Sequence, residues 1–345
     1  MAEISVPQVV DEADEITSRP TAQSLSAIEG LDGDLLILGA GGKLGPTLAV
    51  LAQRSIDQLG TGQRVFAASR FSNTQARSAL DKWGVETIAG DLFDRNFLDS
   101  LPDCANVLFL AGMKFGTSGQ AATTWAANVF LPGLVCERFR VSRLLCFSTG
   151  NIYGLVDHQA GHGSTETSPL DPVGEYANSC LGRERICEYF SQQYDTPTVI
   201  IRLNYATEFR YGVLVDIATK VMQGEPVNLT MGYFNVIWQP DACAMTLASL
   251  SHASSPPCIL NLTGGEKLSV REVATRFGEL LDRDVSFTSE ESPSALLSDS
   301  RKSHELLGAP PTTLDEMIEA TAQWVSRGLP TWGKPTHFEV RDGKF

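Results

Sequence analysis

No apolar run in this sequence approaches the roughly 18 residues that a membrane-spanning helix requires, so a helical bilayer span is not expected. The N-terminus is acidic and lacks the basic-then-apolar pattern of a secretory leader, which points to the cytoplasm. Positive charge is in short supply: 27 Lys and Arg stand against 41 Asp and Glu, a net charge of −14. That balance argues against nucleic acid or an anionic membrane as a main partner, because both require a basic surface. The cysteines number seven, with no CxxC pair, and most lie in apolar surroundings, as in Leu145-Cys146-Phe147. Reduced, buried thiols fit this better than disulfides or zinc. Five histidines form no ligand set; His158 and His162 are four apart, but Gly161 and Gly163 place them in a loop, and no metal is expected. With 43% hydrophobic and 20% charged residues, 345 residues can bury one large core or two modest ones.

One stretch organises the rest. Leu35-Leu36-Ile37-Leu38 reads as a strand buried on both faces. Gly39-Ala40-Gly41-Gly42-Lys43-Leu44-Gly45 follows as a glycine-dense turn, and Leu48 to Leu59 is apolar-periodic. Strand, turn and helix in this order form a phosphate loop, in which glycines let the backbone approach a pyrophosphate and free N–H groups at the helix start hold it. Pro46 suits the first helical turn.

Residues 1 to about 17 are polar and acidic and are expected to be disordered, with a short helix from 20 to 30 started by Pro20 and Thr21. Further strands are expected at 64–68, 85–89, 106–110, 143–147 and 198–202, and helices at 74–83, 121–140 and 174–194. The alternation predicts an α/β fold of Rossmann type, a doubly wound parallel sheet. The unusual segments all follow strand carboxyl ends, where ligands of such sheets bind. Helices at 212–224, 269–282 and 312–327 suggest a smaller C-terminal α/β lobe that closes over this edge. The expected organisation is an N-terminal extension (1–30), a dinucleotide-binding domain (31–204, with a return segment at about 235–250) and a mainly substrate-binding lobe with a tail (205–345).

The pattern resembles the extended short-chain dehydrogenase/reductase superfamily, the NAD-dependent epimerase/dehydratase group, over about residues 34–328. Gly39, Gly42 and Gly45 match its GxxGxxG, and Asp91-Leu92 its adenine-contacting pair after strand three. Ala111-Gly112-Met113-Lys114 is similar to the segment whose lysine reaches the cofactor phosphates. Asn128 matches the helix asparagine, and Ser148 to Gly154 resembles SSxxVYG, with Thr149 at the catalytic Ser/Thr. Asn235 to Asp241 resembles DFVYVDD, and Asn261 to Gly265 followed by Ser269-Val270 resembles NxGGGxxxSV. The resemblance implies a nicotinamide cofactor held by Gly39, Gly41, Gly42, Lys43, Leu44, Gly45, Ser69, Arg70, Asp91, Leu92, Ala111, Gly112, Lys114, Asn128 and Tyr176. It also implies a homodimer paired through helices 121–140 and 174–194. Strand two ends in Ser69-Arg70 with no acid for a ribose 2′-OH; a guanidinium favours a 2′-phosphate, so NADP(H) is preferred over NAD(H).

In Tyr176-Ala177-Asn178-Ser179-Cys180-Leu181-Gly182-Arg183-Glu184 the family's YxxSKxxxE is present except for its lysine, which is Cys180. Tyr176, Thr149 and Cys180 are the catalytic candidates. A free phenol titrates near pH 10, and a neutral thiol gives it no help as a base. Lys114 is a candidate substitute cation, whereas Arg183 and Arg185 are read as lying off the Tyr176 face. Phe234 stands where nucleotide-sugar enzymes of the family carry arginine; Asn204 and Arg210 are the substrate candidates. Two readings stay open. One is an enzyme transferring hydride at a carbonyl/alcohol carbon of a sugar nucleotide or a smaller hydroxy compound, by reduction, epimerisation or dehydration. The other is a non-catalytic dinucleotide-binding sensor or scaffold.

Overall fold

The computed structural model describes residue 4 and residues 6–72, 74–114, 116 and 119–344. Its centre is a seven-stranded sheet of β1 (Leu35–Leu38), β2 (Val65–Ser69), β3 (Glu86–Ala89), β4 (Asn106–Phe109), β5 (Arg143–Thr149), β6 (Thr198–Leu203) and β7 (Cys258–Leu262). The order is β7-β6-β5-β4-β1-β2-β3, and every pairing is parallel. Strand order reverses between β1 and β4, which opens a crevice at their carboxyl ends.

The helices are α1 (Val10–Thr17), α2 (Ala22–Glu29), α3 (Gly45–Leu59), α4 (Thr74–Lys82), α5 (Arg95–Ser100), α6, α7 (Gly174–Tyr194), α8 (Val213–Gln223), α9 (Gln239–Ser249), α10 (Val270–Leu281), α11 (Arg301–Leu307) and α12 (Leu314–Ser326). Helix α6 comprises Ala121–Trp125, a π-helical turn Ala126–Phe130 and Leu131–Arg138. Every side chain of β1 is fully buried. Leu35 and Ile37 pack with α3 and α9, while Leu36 and Leu38 pack with α5 and α6. Helices on both faces explain why this strand tolerates no polar residue.

A third core lies around α8, α10 and α12, where Phe209 meets Trp238 edge-on at 5.1 Å and stacks on Trp324 at 5.4 Å. Thr21 and Thr313 start α2 and α12 with reciprocal capping boxes.

The structure departs from the sequence expectations in two places. The N-terminal segment is ordered from residue 10; residues 1–3 and 5 lie outside the described residues. Ala13 is buried, Glu15 pairs with Arg54 and Asp14 with Arg210. Two acidic residues of α1, Asp14 and Glu15, are thus paired with distant arginines, which local composition does not reveal. The sheet also has a seventh strand, β7, beside β6. The segment resembling DFVYVDD, the expected return segment, runs into helix α9, which packs on α2 and α3.

Candidate active site

The crevice at the switch point holds a cavity of about 370 Å³. Its floor is the turn after β1. Gly39 has φ +86°, and a Cβ there would lie 2.6 Å from the Ala111 amide nitrogen, so only glycine lets the turn rest on the segment after β4. Helix α3 begins at Gly45 without a side-chain cap, with Pro46 in its first turn. Its first N–H groups therefore depend on a partner outside the helix.

From the turn, Gly39, Gly42, Lys43, Leu44 and Gly45 line the cavity, joined by Gly112 and Lys114 after β4 and Thr149 at the end of β5. Tyr176 enters from α7 and Asn204 from beyond β6. The Tyr176 hydroxyl is in hydrogen-bond contact with the side chains of Thr149 and Cys180. Cys180 sits behind it, buried with Ile152 and Tyr153.

Thr149 is held in place by a buried network. Arg202 on β6 pairs with Glu184 on α7 at 2.7 Å, and both are almost wholly buried. Glu184 accepts from Ser148, the neighbour of Thr149, and Arg202 donates to Tyr153 at 2.6 Å.

Among the described residues the cations lining the cavity are Lys43, Lys114 and Arg183, and no carboxylate lines it. Burial, then repulsion by Lys114 and Lys334, brings the Lys43 ammonium down to about 7; it lies 3.5 Å from the centre of the Tyr211 ring. Burial brings Lys114 down to about 8, and its ammonium is 5.8 Å from the centre of the Tyr176 ring. Burial raises the Tyr176 phenol well above its ordinary value; nearby Cys180 adds to this and Arg183 opposes it. The Cys180 thiol is also raised, chiefly by burial, so it is not a ready thiolate.

Arg183 corrects the sequence reading. It follows Tyr176 by seven residues and Cys180 by three, spacings that share one helical face. Its guanidinium is buried and donates to the Asn128 carbonyl at 3.2 Å, the Asn128 Oδ1 at 2.7 Å and the Phe147 carbonyl at 2.7 Å. Among the described residues no carboxylate pairs with it. A Cβ on Gly112 would come within 2.3 Å of this guanidinium, so the glycine makes room for it.

Other predicted residues stand apart from the cavity. Asn128 is fully buried in the π-helical turn and ties Met113 to Ser179, bonding both the N–H and carbonyl of Met113. Gly41 packs against Ser69, and Arg70 is exposed at the end of β2. Asp91 is exposed after β3 and accepts from the Phe93 amide, Leu92 is buried in the core, and Ala111 lies under Gly39. These positions follow β2, β3 and β4 along the same sheet edge. Arg210 does not reach the cavity: it is engaged by Glu208 at 3.1 Å and Asp14 at 2.7 Å. Tyr205, Tyr211, Gln239 and Thr336 also line the cavity; Tyr205 adjoins the candidate Asn204 and Gln239 lies in the segment resembling DFVYVDD, whereas Tyr211 and Thr336 carried no sequence signal. Tyr205 has φ +43°, a strained value for an aromatic residue.

Among the described residues no group of three or more His, Cys, Asp or Glu could hold a metal ion, and no helix is long and apolar enough to cross a membrane. No curated protein matches the sequence. Solved structures match over most of the chain. UDP-glucuronic acid 4-epimerase from Bacillus cereus in complex with NAD is 16% identical, with 85% of this chain and 99% of that one covered and a TM-score of 0.71. DesIV, a dTDP-glucose 4,6-dehydratase from Streptomyces venezuelae with NAD and TYD bound, is 20% identical, covering 84% and 96%, with a TM-score of 0.69. MoeE5 in complex with UDP-glucuronic acid and NAD is 22% identical, covering 86% and 100%, with a TM-score of 0.69. At these identities the likeness establishes the fold. The model of the NAD dependent epimerase/dehydratase family matches residues 35–231, more than half of the chain, and the protein belongs to that family.

Proposed function

We propose that the protein binds a nicotinamide dinucleotide in this crevice, NADP(H) in preference to NAD(H), and reduces a carbonyl group with Tyr176 as proton donor. One observation carries the reading: the glycine turn, Thr149 and Tyr176 line one cavity, with Thr149 bonded to the Tyr176 hydroxyl. The surroundings suit a dinucleotide. The Gly39 turn leaves no space for a Cβ, α3 starts without a side-chain cap, and among the described residues three cations and no carboxylate line the cavity. The structures named above were solved with NAD. Arg70 at the end of β2 supports the 2′-phosphate form.

When bound, the cofactor supplies or accepts the hydride. The chain's own residues handle the oxygen. Thr149 holds it by a hydrogen bond, and Tyr176 donates a proton as the carbonyl becomes an alcohol. A phenol raised well above its ordinary value stays protonated at neutral pH, which suits an acid and handicaps a base. Cys180 provides no charge to reverse this. Lys114 and Arg183 face the same phenol and stabilise whatever negative charge it acquires. Alcohol oxidation, the step that opens epimerisation and dehydration, needs the phenolate and is the disfavoured direction.

Dimerisation through α6 and α7 is proposed on the family resemblance; Trp125, Phe130 and Tyr189 are 41%, 54% and 59% exposed there. NADPH and NADH binding by fluorescence, with a screen of carbonyl substrates, tests the catalytic reading. NADPH consumption that Tyr176→Phe abolishes without weakening binding supports it. Tight binding with turnover only after Cys180→Lys would instead make the native chain a sensor or scaffold.

A further inference from the structure

The cavity ends at a wall built by the C-terminal tail. Trp332 donates its backbone amide N–H to the Arg210 carbonyl at 3.0 Å, and its ring stacks on Tyr211 at 5.6 Å. Thr336 donates from its amide and its hydroxyl to the Asp216 carboxylate, at 2.7 and 2.6 Å. Phe338 is 2% exposed in the C-terminal core. Arg341 donates to the Ser294 carbonyl at 2.6 Å, and Gly343 lies against Gly174 at the start of α7, two residues before Tyr176. The tail therefore crosses from Tyr211 to the beginning of the helix that carries Tyr176.

A second cavity of about 290 Å³ lies on the other side of this wall, along α8. Tyr211 borders both spaces; Thr336 lines the first and Asp216 the second. The Asp216–Thr336 contact and the Tyr211 ring are thus the partition between them.

The substrate positions singled out in the sequence are engaged elsewhere. Phe234 is fully buried in the core. Arg210 is taken up by Glu208 and Asp14. Near the partition the first cavity presents Asn204, Tyr205, Tyr211, Gln239 and Thr336, with the Lys43 ammonium of the glycine turn 3.5 Å from the centre of the Tyr211 ring. Lys43 belongs to the turn assigned to the cofactor phosphates, and the remaining groups suit hydroxyls better than a further diphosphate, which calls for arginine or lysine.

We propose that residues 331–343 form the end wall of the substrate site and restrict it to a compact hydroxylated carbonyl compound that carries no nucleoside diphosphate. The inference rests on the catalytic reading above, because it takes the space beside Tyr176 as the substrate's. It makes the tail the element that determines specificity: without the wall, the two cavities would become one longer cleft.

The test is a calorimetric titration of UDP and UDP-glucuronic acid into protein saturated with NADPH, with NADPH binding measured first in the same samples. If NADPH does not bind, the catalytic reading fails and that failure is seen separately. The native protein should give no heat with either probe at millimolar concentration. The double substitution Asp216→Ala with Thr336→Ala keeps Phe338 in the core and opens the partition, so it should gain affinity for UDP by at least tenfold. A chain ending at Leu329 should gain at least as much where it still binds NADPH. Micromolar binding of either probe by the native protein overturns the proposal. So does a double variant that binds NADPH normally and shows no gain for UDP.

Discussion

Replacing Gly39 by alanine tests the turn on which the site is built, and Gly60 supplies the control. Gly39 (φ +86°) and Gly60 (φ +66°) both have left-handed backbones, so alanine at either costs about 1–2 kcal/mol for conformation alone. They differ in surroundings. A Cβ at Gly60 meets nothing within 4 Å, whereas at Gly39 it falls 2.6 and 2.7 Å from the Ala111 N and Cα. That is backbone and cannot rotate away, so the end of β4 must retreat, adding roughly 1–3 kcal/mol of overpacking. Gly39→Ala should therefore lose about 2–5 kcal/mol, a fall in Tm of roughly 3–7 °C at about 2.1 cal/mol/K per residue. The displaced turn should also weaken NADPH at least about tenfold, since losing a single amide–phosphate hydrogen bond is worth about 1.4 kcal/mol. Gly60→Ala should lower Tm by about 1–3 °C and leave binding unchanged. The assays are differential scanning calorimetry and NADPH fluorescence titration. Native-like NADPH affinity in Gly39→Ala, or an equal loss in both variants, would refute the reasoning.

Three further predictions follow from other parts of the molecule. Arg70→Ala should weaken NADPH more than NADH in the same fluorescence titration; an equal effect on both removes the argument for the 2′-phosphate. Glu184→Gln leaves the Arg202 guanidinium buried without its carboxylate, so urea denaturation should show a loss of roughly 3–5 kcal/mol; a loss below about 1 kcal/mol would contradict this reading. Burial raises Asp241 from 3.8 to about 6. The folded form thus holds a proton that the unfolded chain gives up, and this contribution is complete below pH 4 and lost as pH rises through about 6. At neutral pH the buried carboxylate then costs roughly 3 kcal/mol at 1.36 kcal/mol per pH unit, and Asp241→Asn should raise Tm at pH 7 and flatten its dependence between pH 4 and 6. An unchanged Tm–pH profile would count against it.

The parts of the fold that could be read in the sequence are those in which neighbouring residues carry the signal. The uninterrupted run Leu35–Leu38 announced a strand buried on both faces, and the glycines after it announced the turn. Helix α7 adopts the bounds expected for it, Gly174–Tyr194. Residues whose role depends on distant partners were not legible. Helix α1 looked like a solvated acidic tail because its arginine partners, Arg54 and Arg210, are remote in sequence. The same pairing removed Arg210 from the substrate candidates. Strand β7 follows a loop outside the regular alternation, and its pairing with β6 identifies it. Arg183 was misplaced by a geometric slip, since seven residues is two helical turns and returns to the face of Tyr176. Thr336 reaches the site from a Gly/Pro-rich tail with no periodicity, and its bonds to Asp216 span 120 residues.

The central claim is that the crevice between β1 and β4 holds a nicotinamide dinucleotide with its ring beside Tyr176 and Thr149. A crystal structure of the protein with NADPH tests this most directly. The account predicts the two linked phosphates against residues 39–45, the 2′-phosphate near Arg70 and the nicotinamide within reach of the Tyr176 hydroxyl. A cofactor bound elsewhere, or a nicotinamide ring turned away from Tyr176 and Thr149, would contradict it.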